Sequence, residues 1–265
     1  MEVADPPQPG TEVSVGHPCI RCGYDLAGLS TTAICPECAV PVERSLRGDL
    51  IEFSDPEYRR SLMLGVTLVM VGMVTSVVLM IGTTALMLLF SFNLPIASPL
   101  LSLGATATSL FGYYLYSAPD PGQLSTNKGE TPRRVLRLSL IASAAITIIP
   151  FLFRLFPDLI NPISGPGLSN NFMWVALGLW FLGLVMTAVQ FYAAMLYTRW
   201  LAPRLPDERV LKRAKQLMWL GPLLYIFGFG IGQIVVFIMY FVLFLWIRRH
   251  LARIQRSEQA IAQAA

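Results

Sequence analysis

LMLGVTLVMVGMVTSVVLMIGTTALMLLF, Leu62 to Phe90, runs for 29 residues without a charge. About 20 apolar residues in a helix cross the ~30 Å hydrocarbon core of a bilayer, so this stretch predicts a transmembrane helix. Asp55-Pro56-Glu57 marks its start, with an N-cap aspartate, a proline at the first helical position and a glutamate in the first turn. Working outward, four more apolar stretches follow without Asp, Glu, Lys, Arg or His. Leu100 to Tyr116 ends in Tyr113, Tyr114 and Tyr116, an interfacial aromatic belt. Leu138 to Phe153 comes next, then Phe172 to Thr198, which Trp174 and Trp200 flank. The last, Leu217 to Ile247, has 31 residues, long for one span and short for two.

Loop charge decides between five spans and six. Lys and Arg number five before the first span, four from Lys128 to Arg137, six from Arg199 to Lys215 and four after Ile247; Arg154 is the remaining one. Loops rich in Lys and Arg stay on the cytoplasmic side. A hairpin bent at Gly228, Gly230 and Gly232 keeps all four groups on that side. One long helix would send Arg248, Arg249, Arg253 and Arg256 to the other. The competing use of Gly228-x-x-x-Gly232 is a close helix-packing face. Six spans are favoured, at about 62–90, 97–116, 136–154, 172–198, 214–229 and 231–248, in an all-α polytopic bundle over 58–256. Both termini are then cytoplasmic.

Composition agrees. The chain is 54% hydrophobic and 14% charged, against about 25% charged in soluble domains, with a mean hydropathy of +0.58. The net charge of +4 sits in loops beside apolar runs, where anionic lipid accounts for it without nucleic acid. Met1 to Gly16 has three acidic residues, three prolines, no basic residue and no apolar core. It reads as a disordered leader and not a signal peptide. Residues 44–57 read as a polar connector, and the Ala/Gln-rich tail 257–265 is expected to fray.

The four cysteines of the chain, Cys19, Cys22, Cys35 and Cys38, stand as C-x2-C-x12-C-x2-C. A tight C-x-x-C turn supplies one edge of a tetrahedron of soft ligands, and two facing turns complete it. Gly23 allows the first turn to close round a metal, and Pro36 stiffens the second. The twelve residues between the pairs suffice for a short β-hairpin with Gly28 at a bend. Residues 17–43 are therefore read as a small ribbon holding one structural Zn2+, whose binding supplies much of the folding energy. Two other readings stay open: a rubredoxin-type iron site, and disulfides or free thiols. Disulfides belong to oxidising compartments, opposite to the side that loop charge selects. His17 lies two residues before Cys19 but is surplus to a four-thiolate shell.

The stretch Cys19-Ile20-Arg21-Cys22-Gly23-Tyr24-Asp25-Leu26-Ala27-Gly28-Leu29, followed by Cys35-Pro36-Glu37-Cys38, resembles the zinc ribbon that opens a set of uncharacterised polytopic bacterial membrane proteins. Their pattern is C-x-x-C-G-Y-D-L-x-G-L, then C-P-x-C-G. Ala39 stands where the last glycine is usual, which strains the second turn without touching a ligand. Ser54-Asp55-Pro56, Pro119-Asp120-Pro121 and the Arg-rich ending are also similar to that set. The resemblance implies a fold layout and a bacterial inner membrane, and it implies no activity.

No H-E-x-x-H, G-x-S-x-G, Walker-type or dinucleotide-binding loop is present. The expectation is a non-enzyme: a membrane-anchored interaction or scaffold module whose ribbon docks a cytoplasmic protein or another copy, in contact with lipid. The alternatives are a neutral-solute channel or permease capped by the ribbon, and an iron electron-transfer protein. Proton coupling is disfavoured, because ionisable residues inside spans mark proton relays. Small residues on the second span (Ser98, Ser102, Ala105, Ser109, Gly112) and the third (Ala142, Ser143, Ala145) read as close-packing faces.

Overall fold

The computed structural model describes residues 10–14, 16–90, 97–121, 123, 129–155, 169–205, 207–228 and 230–264. Residues 1–9 of the expected leader lie outside them, as do residues 156–168. Seven α-helices make up the described fold: α1 (Val42–Arg47), α2 (Pro56–Phe90), α3 (Ala97–Tyr116), α4 (Glu130–Leu155), α5 (Ser169–Leu201), α6 (Glu208–Phe227) and α7 (Ile231–Ala264). Three of them contain stretches long and apolar enough to cross a membrane, at Pro56–Phe90, Leu177–Arg204 and Ile231–Ser257. The chain therefore has the architecture of a helical membrane protein. α4 and α6 open on charged turns, with Glu130 and Glu208 first, ahead of their apolar stretches.

Local sequence explains the helix starts. The Asp55 carboxylate accepts the Glu57 N–H at 2.7 Å at the head of α2, and Asp207 accepts that of Arg209 at 2.9 Å at the head of α6. Each satisfies an amide that the helix leaves without a partner. Within the helices, hydroxyls such as those of Thr67, Ser76 and Thr106 donate to the carbonyl four residues back. That removes a polar burden that lipid cannot relieve. Helix α7 runs on through the tail to Ala264, in keeping with the high helix propensity of Ala and Gln.

α2 to α7 close into a ring, each packing on the next and α7 returning to α2. Two antiparallel hairpins set its geometry. In the first, a Cβ on Gly65 would come within 3 Å of the Gly112 carbonyl and the Tyr116 amide. Gly72 faces Ser109 and Ala105 with no room for a Cβ. Ala105, Ser109 and Gly112 thus do form a close-packing face, while Ser102 is exposed. In the second, α6 ends at Phe227 and α7 starts at Ile231, with Gly230 at φ 81°. Tyr240 Oη donates to the Leu217 carbonyl at 3.3 Å, and His250 pairs with Asp207 at 2.9 Å. Contacts equidistant from the turn show that residues 217–247 fold back on themselves.

Aromatic rings fill the ring of helices at one level. Tyr116 lies edge-on to Tyr197 and Phe244, with centroids 5.1 and 5.6 Å apart, and its hydroxyl meets Thr198 at 2.9 Å. Tyr113, Tyr240 and Phe244 complete a fully buried layer. Large apolar side chains on α2 from Val78 to Phe90, such as Ile81, Met87 and Leu88, face outward, as a lipid-facing surface requires.

The expected β-hairpin in the cysteine segment does not form as strands. Among the described residues there are three isolated antiparallel bridges, Glu12 with Ser30, Pro18 with Asp25 and Ile34 with Pro41. Successive tight turns leave no run long enough for a ladder. The unit also begins before residue 17, since Val13 and Leu29 pair through backbone and Val13 is buried beside Leu26, Cys19, Cys35, Val40 and Val42.

Candidate metal centre

The two C-x-x-C turns have the same backbone plan. In the first, the Gly23 N–H donates to the Cys19 carbonyl at 2.9 Å and the Cys19 N–H to that of Tyr24 at 2.7 Å. In the second, the Ala39 N–H donates to the Cys35 carbonyl at 2.9 Å and the Cys35 N–H to that of Val40 at 2.8 Å. Equivalent residues follow each pair, Gly23 at φ 80° and Ala39 at φ 58°. Ala39 is the one non-glycine residue with positive φ among those described. The left-handed backbone costs an L-residue about 1–2 kcal/mol.

These turns bring the four sulfurs within 4.8 Å of one another. Cys19 Sγ lies 3.5 Å from Cys38 Sγ, and Cys22 Sγ lies 3.6 Å from Cys35 Sγ. Such distances are far longer than the ~2.05 Å of a disulfide, and all four are free thiols. They match the edges of a ligand tetrahedron, so the cluster could hold one metal ion. Cys19 and Cys35 are buried, and Cys22 is exposed. Two of the sulfurs thus come from the small core, one from its edge at the half-buried Cys38 and one from the surface. His17 is exposed and outside the cluster.

Electrostatics favours a cation here. Burial opposes ionisation of Cys19, but the N–H groups of Cys22 and Arg21, with Cys38 and Ser45, outweigh it and bring the thiol down to about 6. At Cys22 the Tyr24 N–H favours the thiolate, yet loss of water and the three neighbouring sulfurs push the group up to about 12. Cys38 is also raised, against the Val40 N–H, by desolvation and by Cys19. One thiolate forms readily and its neighbours resist, so full deprotonation of the four calls for a positive ion between them.

Ser45 was missed by sequence reasoning. It sits on α1, inside the expected connector, and its hydroxyl donates to Cys19 Sγ at 3.8 Å while taking the Ile20 N–H at 3.4 Å. The available signal was the i,i+4 pair Glu43 and Arg47, which form an ion pair across α1.

A second polar centre joins this segment to the helices. Arg204, buried just past the end of α5, donates from Nε to the Asp49 carbonyl at 2.9 Å. Its Nη2 reaches Asp49 Oδ1 at 3.4 Å and Asp120 Oδ2 at 2.5 Å. Tyr58 and Trp200 flank the guanidinium, with ring centroids 5.9 and 5.7 Å away. Arg59 adds a bond to the Glu52 carbonyl. The residues just before α2, after α3 and after α5 thereby meet at one end of the bundle.

No protein-family model matches this chain, and neither a curated protein nor a solved structure matches it. The resemblance of the opening segment therefore rests on the motif residues alone.

Proposed function

We propose that this protein is a membrane-anchored interaction module, in which a structural zinc knuckle on the cytoplasmic side docks a protein partner and the helices hold it at the membrane. The observation that carries this reading is the closed set of four sulfurs, all within 4.8 Å. Four thiolates fill a tetrahedral shell and leave no open position for a substrate or an activated water. The reading is therefore of a non-enzyme. Ile34 and Tyr24, exposed on the knuckle, supply apolar contact area for a partner.

In this reading α2 to α7 all cross a bacterial inner membrane. Antiparallel hairpins and the gathering of the segments around Asp49, Asp120, Arg204 and Asp207 at one end of the bundle support it, because these carry the Lys- and Arg-rich ends. The buried layer of Tyr113, Tyr116, Tyr197, Tyr240 and Phe244 weighs against a solute pathway through the bundle. Nucleic acid is not an expected partner.

Metal content and the visible spectrum of detergent-purified protein test the centre. One colourless zinc per chain, lost in Cys35→Ser/Cys38→Ser, is expected. Visible absorption from an iron–thiolate site would replace this reading with electron transfer. Capture of a cytoplasmic partner should be lost in the same double variant while the helices still insert; unchanged capture would sink the docking role.

A further inference from the structure

Each C-x-x-C turn pairs a buried cysteine with a more exposed one. Cys22 is exposed and Cys38 half-buried, whereas Cys19 is 4% and Cys35 1% exposed. The close approaches cross from one turn to the other and join unlike partners. Exposed Cys22 lies 3.6 Å from buried Cys35, and half-buried Cys38 lies 3.5 Å from buried Cys19. We propose that the four cysteines are also an oxidation site, which a peroxide converts into two disulfides, Cys22–Cys35 and Cys19–Cys38, with release of the metal. An accessible sulfur that is oxidised, beside a second that resolves it, is the layout of a redox-sensing thiol pair. Thiolates ligate a metal ion and disulfides do not, so the metal-bound and the disulfide-bonded forms exclude each other. The inference rests on the reading of a metal-binding knuckle on the cytoplasmic side, where disulfides are transient and redox-sensing. It is independent of any docked partner.

With a cation among them the four sulfurs are thiolates. The Cys22 thiolate attacks one oxygen of hydrogen peroxide. The O–O bond breaks, a sulfenic acid forms, and the departing hydroxide takes a proton to become water. The Cys35 thiolate then attacks the Cys22 sulfur. The S–S bond forms, the S–O bond breaks, and the second hydroxide likewise leaves as water. Two thiolates have lost two electrons, one peroxide has become two waters, and two protons have come from solvent. A second peroxide does the same at Cys38 and Cys19. Each pair has about 1.5 Å to close, from 3.5 or 3.6 Å to the ~2.05 Å of a disulfide. Both bonds tie one turn to the other, so the core of Val13, Leu26, Val40 and Val42 stays cross-linked after the metal has gone. Disulfides formed within each turn would leave the two turns untied.

The test uses zinc-loaded full-length protein in detergent, freed of reductant and titrated with hydrogen peroxide. A chromogenic chelator reads zinc release, dimedone in parallel samples traps sulfenic acid, and peptide mass spectrometry maps the disulfides. The expected result is loss of all zinc at two equivalents of peroxide per four sulfurs. Early dimedone labelling should fall on Cys22 or Cys38, and the products should be Cys22–Cys35 and Cys19–Cys38. Dithiothreitol with zinc should restore the starting state. The oxidised knuckle should resist a protease that cuts the reduced, chelator-stripped one. Disulfides within the turns or between chains, first labelling at Cys19 or Cys35, or zinc and four thiols retained in excess peroxide would overturn the proposal. Protein that takes up no zinc would instead contradict the metal reading. The same titration of the reduced, metal-free chain then judges the pairing, with cross-turn disulfides expected and turn-confined ones overturning it.

Discussion

Ala39 repeats the role of Gly23 in a backbone position that suits glycine better. Nothing lies within 4 Å of the space a Cβ would take at Gly23, so the demand there is conformational, not steric. Ala39→Gly should relieve the left-handed strain at φ 58° and stabilise the knuckle by about 1 kcal/mol. A slower loss of metal to a chelator would show it, and an unchanged rate would mean that the second turn carries no strain. The Asp207–His250 pair gives a second test at this scale. Partial burial disfavours the Asp207 carboxylate, but the Arg209 N–H and the His250 ring hold its pKa below the ordinary value. A lowered carboxylate pKa contributes stability above the unfolded value of about 4, and that contribution is lost as pH falls through the native value. Thermal unfolding between pH 6 and 3 should therefore fall less steeply in Asp207→Asn than in the parent protein. Parallel curves would show that the pair does not stabilise the hairpin.

Among the elements, α2 and α3 depend most on small residues. Gly112 meets the Val69 amide and the Gly65 carbonyl so closely that a Cβ would sit less than 3 Å from each. Apolar attraction between helices is weak in lipid, so close backbone approach replaces it. Gly112→Leu should separate the two helices and destabilise the protein by about 1–3 kcal/mol or more. The same change at Gly104, which faces open space, should be nearly neutral. Equal melting temperatures for the two variants in detergent would contradict the packing seen here. Spacing on α3 alone pointed to this face through Ala105, Ser109 and Gly112. It could not identify the partner positions Gly65 and Gly72, because α2 is apolar on all sides and presents no distinct stripe.

For the molecule as a whole, Arg204 ties the connector to the bundle, since Asp49 lies before α2 and Asp120 after α3. The Asp120 side chain is 1% exposed, so Arg204→Met would remove a charged hydrogen-bond partner from a buried carboxylate at a cost of about 1.5–3 kcal/mol. Limited proteolysis should then cut between residues 44 and 57 faster than in the parent; equal rates would show that Arg204 does not anchor the connector. The sequence by itself determined the membrane class, the candidate metal-site cysteines Cys19, Cys22, Cys35 and Cys38, and the grouping of basic loops. Each is a local property: an uncharged run, a ligand spacing, a count of charges beside a span. Only the tertiary structure decided that 217–247 is a hairpin, that α2 to α7 form a ring filled by aromatic side chains, and that Val13 and Ser45 belong to the four-cysteine unit. It also brought Arg204 to Asp49, 155 residues away. These pairings depend on which residues meet across the bundle, and an apolar helix carries too little polar pattern for its own sequence to specify its neighbour.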